Sequence, residues 1–248
     1  MNLNGKKILV TGGTRGIGAA VVAQLRDKGC AVLVVARDAA ALDRMTGVDT
    51  LAVDLSQQRA AEKIADWVTR NHPDLDGIVN NAAIMDHTFL TRNGAEKLGR
   101  VETEIAVNLT APVQLTTLLL PILARRPEAV VVNVTSGLAL VPIPNAAVYS
   151  ATKAGIRIFT KALRLQVKAE GWNIGLSEVL MTRVDTSLSE GEPSTKYPPA
   201  KAAADLIQGV EAGRKEIYIE KVKLLRLVWR LSPALAERML SGHTGATD

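Results

Sequence analysis

The chain has 248 residues, 47 % of them apolar and 22 % charged, ordinary proportions for a globular protein with a sizeable core. Its net charge of +5 is modest, no nucleic-acid partner is expected, and its three histidines (His72, His87, His243) stand too far apart for a metal-ligand spacing. The single cysteine, Cys30, excludes an internal disulfide; with no apolar signal region at the start and no run of about 18 apolar residues, a cytoplasmic location is expected.

Taken in chain order, short apolar runs alternate with longer amphipathic stretches, the pattern of βαβ units around a parallel sheet. Strands are expected at 7–10, 31–36, 50–53, 77–79, 129–134, 174–179 and 216–219. Helices are expected at 17–28, 57–70, 95–123, 147–170 and 200–213, with Pro112 kinking the third or marking an internal start. The strands lack polar alternation, as strands covered on both faces do. The prediction is a single doubly wound Rossmann domain over 1–248, with a sheet of about seven parallel strands flanked by helices. Extra amphipathic helices follow over 221–240.

The first strand runs into Gly12-Gly-Thr-Arg-Gly-Ile-Gly18, a Gly-x-x-x-Gly-x-Gly turn opening a helix. Missing side chains there let backbone approach a pyrophosphate, which meets helix N-terminal N–H groups and the helix dipole. The second strand ends at Ala36-Arg37, where an NAD-selective site would carry a carboxylate for the ribose 2′-hydroxyl. Arg37, with Arg15 on the phosphate side, suits a 2′-phosphate instead, which points to NADP(H). Asp54 follows the third strand and could accept a hydrogen bond from an adenine amino group. Asn80 and Asn81 close the fourth strand, where an amide either touches the ribose or braces the sheet.

Ser136 lies just past the fifth strand, and Tyr149 and Lys153 follow it four residues apart in Tyr-Ser-Ala-Thr-Lys. A phenol titrates near 10, too high for acid–base work at neutral pH; an ammonium one helical turn away lowers that value. Ser136 can hydrogen-bond a substrate oxygen and polarise it. A serine hydrolase is excluded, because Thr135-Ser136-Gly137 lacks the Gly-x-Ser-x-Gly elbow and the only histidine after Ser136 is His243. After the sixth strand, 187–199 is rich in turn formers and reads as a lid over substrate or as a plain surface loop.

These pieces together resemble the short-chain dehydrogenase/reductase family over nearly the whole chain. The carriers are Thr11 to Gly18 with Thr14 and Ile17, Val53-Asp54-Leu55, Asn80-Asn-Ala82-Ala83, Asn108, Ser136, Tyr149-x-x-x-Lys153 and Val184-Asp-Thr186. By that resemblance Gly12, Thr14, Arg15, Gly16, Ile17, Gly18, Arg37, Asp54, Leu55, Asn80, Ala82 and Thr186 contact the cofactor, with Tyr149 and Lys153. Tyr149 is then general acid in reduction and base in oxidation. Lys153 lowers its pKa and holds the nicotinamide ribose, Ser136 orients the substrate oxygen, and Asn108 supports a water chain feeding Lys153. More narrowly, the chain is similar to the oxidoreductase group named for the D-alanyl-lipoteichoic-acid gene cluster, on Asn80 to Met85, Asn133 to Ala139 and Glu216 to Arg226. Two departures stand out: Ala83 where the family has glycine, and Met181-Thr182 where it has Pro-Gly. Alanine is strained if that position needs φ > 0, and Met181 is expected to shape an apolar substrate wall.

The expected activity is NADP(H)-dependent reduction of a small-molecule carbonyl, or oxidation of an alcohol, in a homodimer or homotetramer. The rival is a catalytically weak NADPH-binding scaffold or sensor acting through its C-terminal helices. In that stretch Lys223, Arg226 and Arg230 share one helical face and Leu224, Leu225, Val228 and Leu231 form an apolar stripe. Packing against the domain or a second subunit is the common use of such a stripe; lying on anionic lipid is the other.

Overall fold

Continuous runs of Val, Leu and Ile need cover on both faces, and the fold supplies it. In the computed structural model, which describes residues 1–92, 94–186 and 196–241, seven strands pair in parallel in the order β3-β2-β1-β4-β5-β6-β7. They are β1 (Lys7–Thr11), β2 (Ala31–Ala36), β3 (Asp49–Ala52), β4 (Gly77–Asn80), β5 (Ala129–Ser136), β6 (Ile174–Met181) and β7 (Glu216–Tyr218). The helices are α1 (Gly16–Asp27), α2 (Ala39–Asp43), α3 (Ala60–Asn71), α4 (Leu98–Ile105), α5 (Ala111–Leu123), α6 (Ala147–Ala169), α7 (Pro199–Glu211), α8 (Val222–Leu231) and α9 (Pro233–Ser241).

Side chains of a strand alternate between faces, and the core divides accordingly. Ile8 and Val10 join Val21 and Leu25 of α1 and Leu206 of α7 in one apolar cluster. Leu9 joins Ile64 of α3, Leu115 and Leu119 of α5 and Leu163 of α6 in the other. Strand order reverses between β1 and β4, and the crevice outside the strand ends at that switch is where such sheets take ligands.

Three local features differ from expectation. The short helix α2 is too brief to show a period; Asp38 caps it, its Oδ1 accepting from Ala41 N at 3.0 Å. Strands β5 and β6 run beyond their apolar stretches, in register out to Ser136 opposite Met181, because the polar groups there satisfy one another. Thr135 Oγ1, for example, donates to Glu178 Oε1 at 2.9 Å.

The single helix expected over 95–123 is broken. A 3-10 turn (Gly94–Lys97) leads into α4, a π-turn (Ala106–Thr110) follows, and α5 begins with Pro112 in its first turn. Proline has no N–H to return to the carbonyl four residues back, here Asn108, so the ladder must change pitch at that point. End to end, Gly94–Leu123 is long and, by mean hydropathy, apolar enough to cross a membrane, although Asn108, Thr110, Gln114, Thr116 and Thr117 interrupt its apolar residues. Leu115, Leu119 and Leu123 of that stretch are nonetheless fully buried against the sheet.

Candidate active site

The glycine turn between β1 and α1 is shaped by contacts that no side chain could share. A Cβ on Gly18 would lie 2.1 Å from the Gly12 carbonyl oxygen, and one on Gly12 would lie 2.9 Å from Ala82 Cα. Gly12 and Gly16 also adopt φ of +69° and +57°, the left-handed region glycine occupies without penalty. Arg15, in extended conformation, makes no side-chain cap on α1, and the first turn holds no acidic residue. The orphan N–H groups of α1 are therefore left for an external anion.

From this turn a cleft of ≈ 260 Å³ runs along the sheet edge. Gly12, Thr14, Arg15, Gly16, Ile17 and Gly18 line one side; Arg37, Asp54, Leu55, Ala82 and Thr186, all expected here, line the rest. Asp38, Asn81, Ala83, Ile84 and Val107 also line it. The Arg15 and Arg37 side chains are exposed at the rim. Asp54 Oδ1 accepts from both the amide and the hydroxyl of Ser56, at 2.9 and 2.8 Å, which fixes its carboxylate at the cleft.

Asn80 does not line the cleft. Its side chain is buried and donates to Thr116 Oγ1 at 3.0 Å and Asn133 Oδ1 at 2.8 Å, a brace across β4, β5 and α5. Asn81 braces the glycine turn itself, its amide donating to the carbonyls of Thr11 and Gly12 at 3.0 and 3.2 Å. Thr11 Oγ1 completes the clamp by accepting from the amides of Asn81 and Ala82, both at 3.1 Å. Ala83 is unstrained: among the described residues other than glycine, only Arg59 and Glu220 have positive φ.

Beyond the cleft, Ser136, Tyr149, Lys153 and Asn108 come together from β5, α6 and the π-turn. The Tyr149 phenol is buried and hydrogen-bonded with Ser136, whose Oγ also accepts from Leu138 N at 3.1 Å. Lys153 Nζ stands 5.5 Å from the centre of the Tyr149 ring and donates to the Val134 carbonyl at 3.0 Å. Asn108 pins the cleft wall to this group. Its amide accepts from Ile84 N at 2.9 Å, donates to Ile84 O at 2.7 Å and reaches Thr152 Oγ1 at 3.4 Å.

The expected lowering of the Tyr149 pKa is not what this arrangement produces. Burial pushes the phenol above its ordinary value, and it outweighs the Ser136 hydrogen bond that pulls it down; the negative charge of Glu104 adds to the rise. Burial also brings Lys153 down to about 8, opposed by Glu104. The phenol of the free protein thus holds its proton, the state a general acid needs.

Glu104 carries no motif and was not foreseen. It is 2 % exposed, on α4 just before the π-turn, and accepts from Asp86 N at 3.3 Å. Burial, then the Asp86 charge, push its carboxyl up to about 7 against the Asp86 hydrogen bond and the attraction of Lys153. Glu104 and Asn108 together hold the 84–86 segment, whose first residue, Ile84, lines the cleft. Only an acidic residue four before Asn108 hinted at this, and nothing in the sequence marks it as buried.

Met181 does not form a substrate wall. It ends β6, is 5 % exposed and packs in the core cluster with Val184 and Ile219. Thr182, where the family has glycine, donates its hydroxyl to Glu220 Oε2 at 3.0 Å. That bond ties the end of β6 to the turn after β7. Of the stretch read as a lid, 187–195 lies outside the described residues. Tyr197 beyond it exchanges backbone hydrogen bonds with Arg183 and Asp185, at 2.9 and 3.0 Å.

The short chain dehydrogenase family profile matches residues 6–196, well over half of the chain. The uncharacterized oxidoreductase DltE of Bacillus subtilis is 30 % identical over 236 residues, covering 91 % of this chain and 92 % of that one. A short chain dehydrogenase from Burkholderia cenocepacia, solved in complex with NADP, superposes with TM-score 0.86 at 24 % identity, over 97 % of this chain and 100 % of that one. A short chain dehydrogenase/reductase from Burkholderia phymatum, solved in complex with NAD, gives 0.82 at 19 % identity, over 93 % and 96 %. The glycine turn, the cleft at the switch point and a family match of this extent agree, and the chain belongs to the short-chain dehydrogenase family.

Proposed function

We propose that this protein is an NADP(H)-dependent oxidoreductase passing a hydride between nicotinamide and a carbonyl or alcohol carbon, with Tyr149 as general acid and base. The observation that carries it is the buried Tyr149 phenol, hydrogen-bonded with Ser136 and with Lys153 against its ring. A bound nicotinamide dinucleotide would supply or accept the hydride. The chain's own residues act at the substrate oxygen. Tyr149 Oη presents a proton to it during reduction and takes one back during oxidation. Ser136 Oγ, held by Leu138 N, points a second hydrogen bond at the same oxygen. Lys153 and Asn108 hold the geometry around them. Gly12, Thr14, Gly16, Ile17, Gly18, Asp54, Leu55, Ala82 and Thr186 would bind the dinucleotide, with Asn80 and Asn81 bracing the sheet and turn beneath it.

The choice of NADP(H) rests on Arg15 and Arg37, neither of which is in an ion pair among the described residues. Asp38, the nearby carboxylate of a kind that favours a free 2′-hydroxyl, has one oxygen engaged in capping α2. Fluorescence titration of the purified protein is expected to show NADPH preferred over NADH by about tenfold or more, and Arg37→Ala is expected to erase most of that preference. Equal affinities, or a preference for NADH that Arg37→Ala leaves unchanged, would overturn the assignment.

Glu104 gives the site a testable pH dependence. A carboxyl raised to about 7 keeps its proton in the folded chain through a range where the unfolded chain, at about 4.5, has lost it. Stability should therefore fall as pH rises from about 4.5 to about 7, by on the order of 2–3 kcal/mol from this group. Glu104→Gln cannot ionise, so its stability relative to the parent should increase across that window in urea titrations. A constant difference between pH 5 and 7.5 would show that the carboxyl titrates in its ordinary range.

The physiological form proposed is a cytoplasmic homodimer or homotetramer acting on a small molecule. Exposed Leu98 and Ile105 on α4 and Leu118 on α5 offer apolar surface for a second copy.

A further inference from the structure

Helix α8 has two apolar rows, and the fold uses only one. Inward, Val222 is 3 % exposed and, with Leu225, lies against Gly137, the residue after Ser136. Outward, Leu224, Leu227 and Leu231 are 59, 55 and 79 % exposed, spaced three and four residues apart along one face. Leu235 and Met239 of α9, four apart, add two more exposed apolar side chains. Five of the large apolar residues left exposed by the chain thus fall within sixteen positions.

The charge around this row is one-sided. Between 221 and 241 stand Lys221, Lys223, Arg226, Arg230 and Arg238 against the single acid Glu237. Arg226 is occupied on the Tyr218 ring, 4.4 Å from its centre, and Lys221 lies 3.8 Å from Glu220. Lys223 and Arg230 are exposed and seven residues apart, so they follow one edge of the leucine row. Apolar side chains with cations along their border match a surface that is apolar below and anionic above. A second copy docked face to face would bring the same cations together, while α4 and α5 offer apolar surface with less concentrated charge.

From this we infer that the outer face of α8, continued by α9, docks the protein on an anionic lipid surface. The leucines enter the headgroup boundary and Lys223 and Arg230 meet lipid phosphates. The docked face and Ser136 then lie on opposite sides of one helix.

The test is co-sedimentation of the full-length protein with vesicles of phosphatidylcholine alone and of phosphatidylcholine mixed with phosphatidylglycerol. Binding is expected to the mixed vesicles, at least about tenfold weaker to the neutral ones, and weakened by about 0.5 M salt. Leu224→Ser/Leu227→Ser/Leu231→Ser is expected to lose at least about tenfold in vesicle affinity with unchanged circular dichroism and NADPH titration, because all three side chains are already exposed. Lys223→Gln/Arg230→Gln should weaken binding to the anionic vesicles only. No binding by the parent, or parent-like binding by the triple leucine variant, overturns the inference. So does a parent that ignores vesicles and an oligomer that the triple variant dissociates in analytical ultracentrifugation, which would assign the row to a second copy.

Discussion

Tyr149→Phe is expected to bind NADPH within about twofold of the parent while turnover falls by about 10²–10⁴. The hydroxyl is the only atom removed, and the ring remains in a site that is 7 % exposed, so Lys153 keeps its place against the aromatic face. Ser136 loses its partner but keeps the hydrogen bond from Leu138 N, so its hydroxyl stays aimed. What disappears is the proton at the substrate oxygen. Single-turnover measurements with a reducible carbonyl would separate this loss from binding. A variant that keeps most of the parent rate would remove Tyr149 from the mechanism. A parent that binds NADPH but turns over nothing across a panel of carbonyls and alcohols would favour the scaffold alternative.

The second large effect is expected at a buried ion pair one helical turn beyond Lys153. Arg157 on α6 and Glu178 on β6 form a buried ion pair at 2.6 Å, with side-chain exposures of 9 % and 0 %. Arg157 also reaches Glu216 of β7 at 3.1 Å, and Thr135 donates to the other Glu178 oxygen. Arg157→Ala leaves a carboxylate with no exposure and no ion-pair partner, only the more distant charge of Arg164, and should cost about 3–5 kcal/mol in urea unfolding. The paired replacement Arg157→Met/Glu178→Leu removes both charges and is expected to recover most of that loss. A loss below about 1 kcal/mol for Arg157→Ala would mean that water or backbone relaxation solvates Glu178, and the pair would then not be a structural clamp.

Both predictions rest on residues of different visibility. Tyr149 and Lys153 are legible because their relation is local: four residues on one helix, a fixed distance after Ser136 on a strand. The same holds for the glycine turn, where the absence of a side chain is written directly in the chain. Arg157 and Glu178 are ordinary charged residues in sequence. Nothing local distinguishes them from a solvated pair, and only the packing of α6 on β6 shows that they are buried together.

The same division explains each departure. Strand and helix periods determined the alternation of elements and, through it, the doubly wound sheet with its ligand crevice; these depend on spacing along the chain, which the sequence states in full. The break at Ala106–Thr110 could be suspected from Pro112 but not located, since a proline can open a helix or bend one. Asn80 and Asn81 are equivalent as letters, yet neighbouring residues at a strand end point to different sides, and the neighbours of β4 decided which one braces the sheet and which one holds the glycine turn. The protonated state of Tyr149, the raised carboxyl of Glu104, the core position of Met181 and the exposed leucines of α8 belong wholly to the tertiary structure. Each is a matter of what surrounds a side chain in space, and burial, which costs a charge its hydration and hides or leaves bare an apolar surface, is created only when distant segments meet.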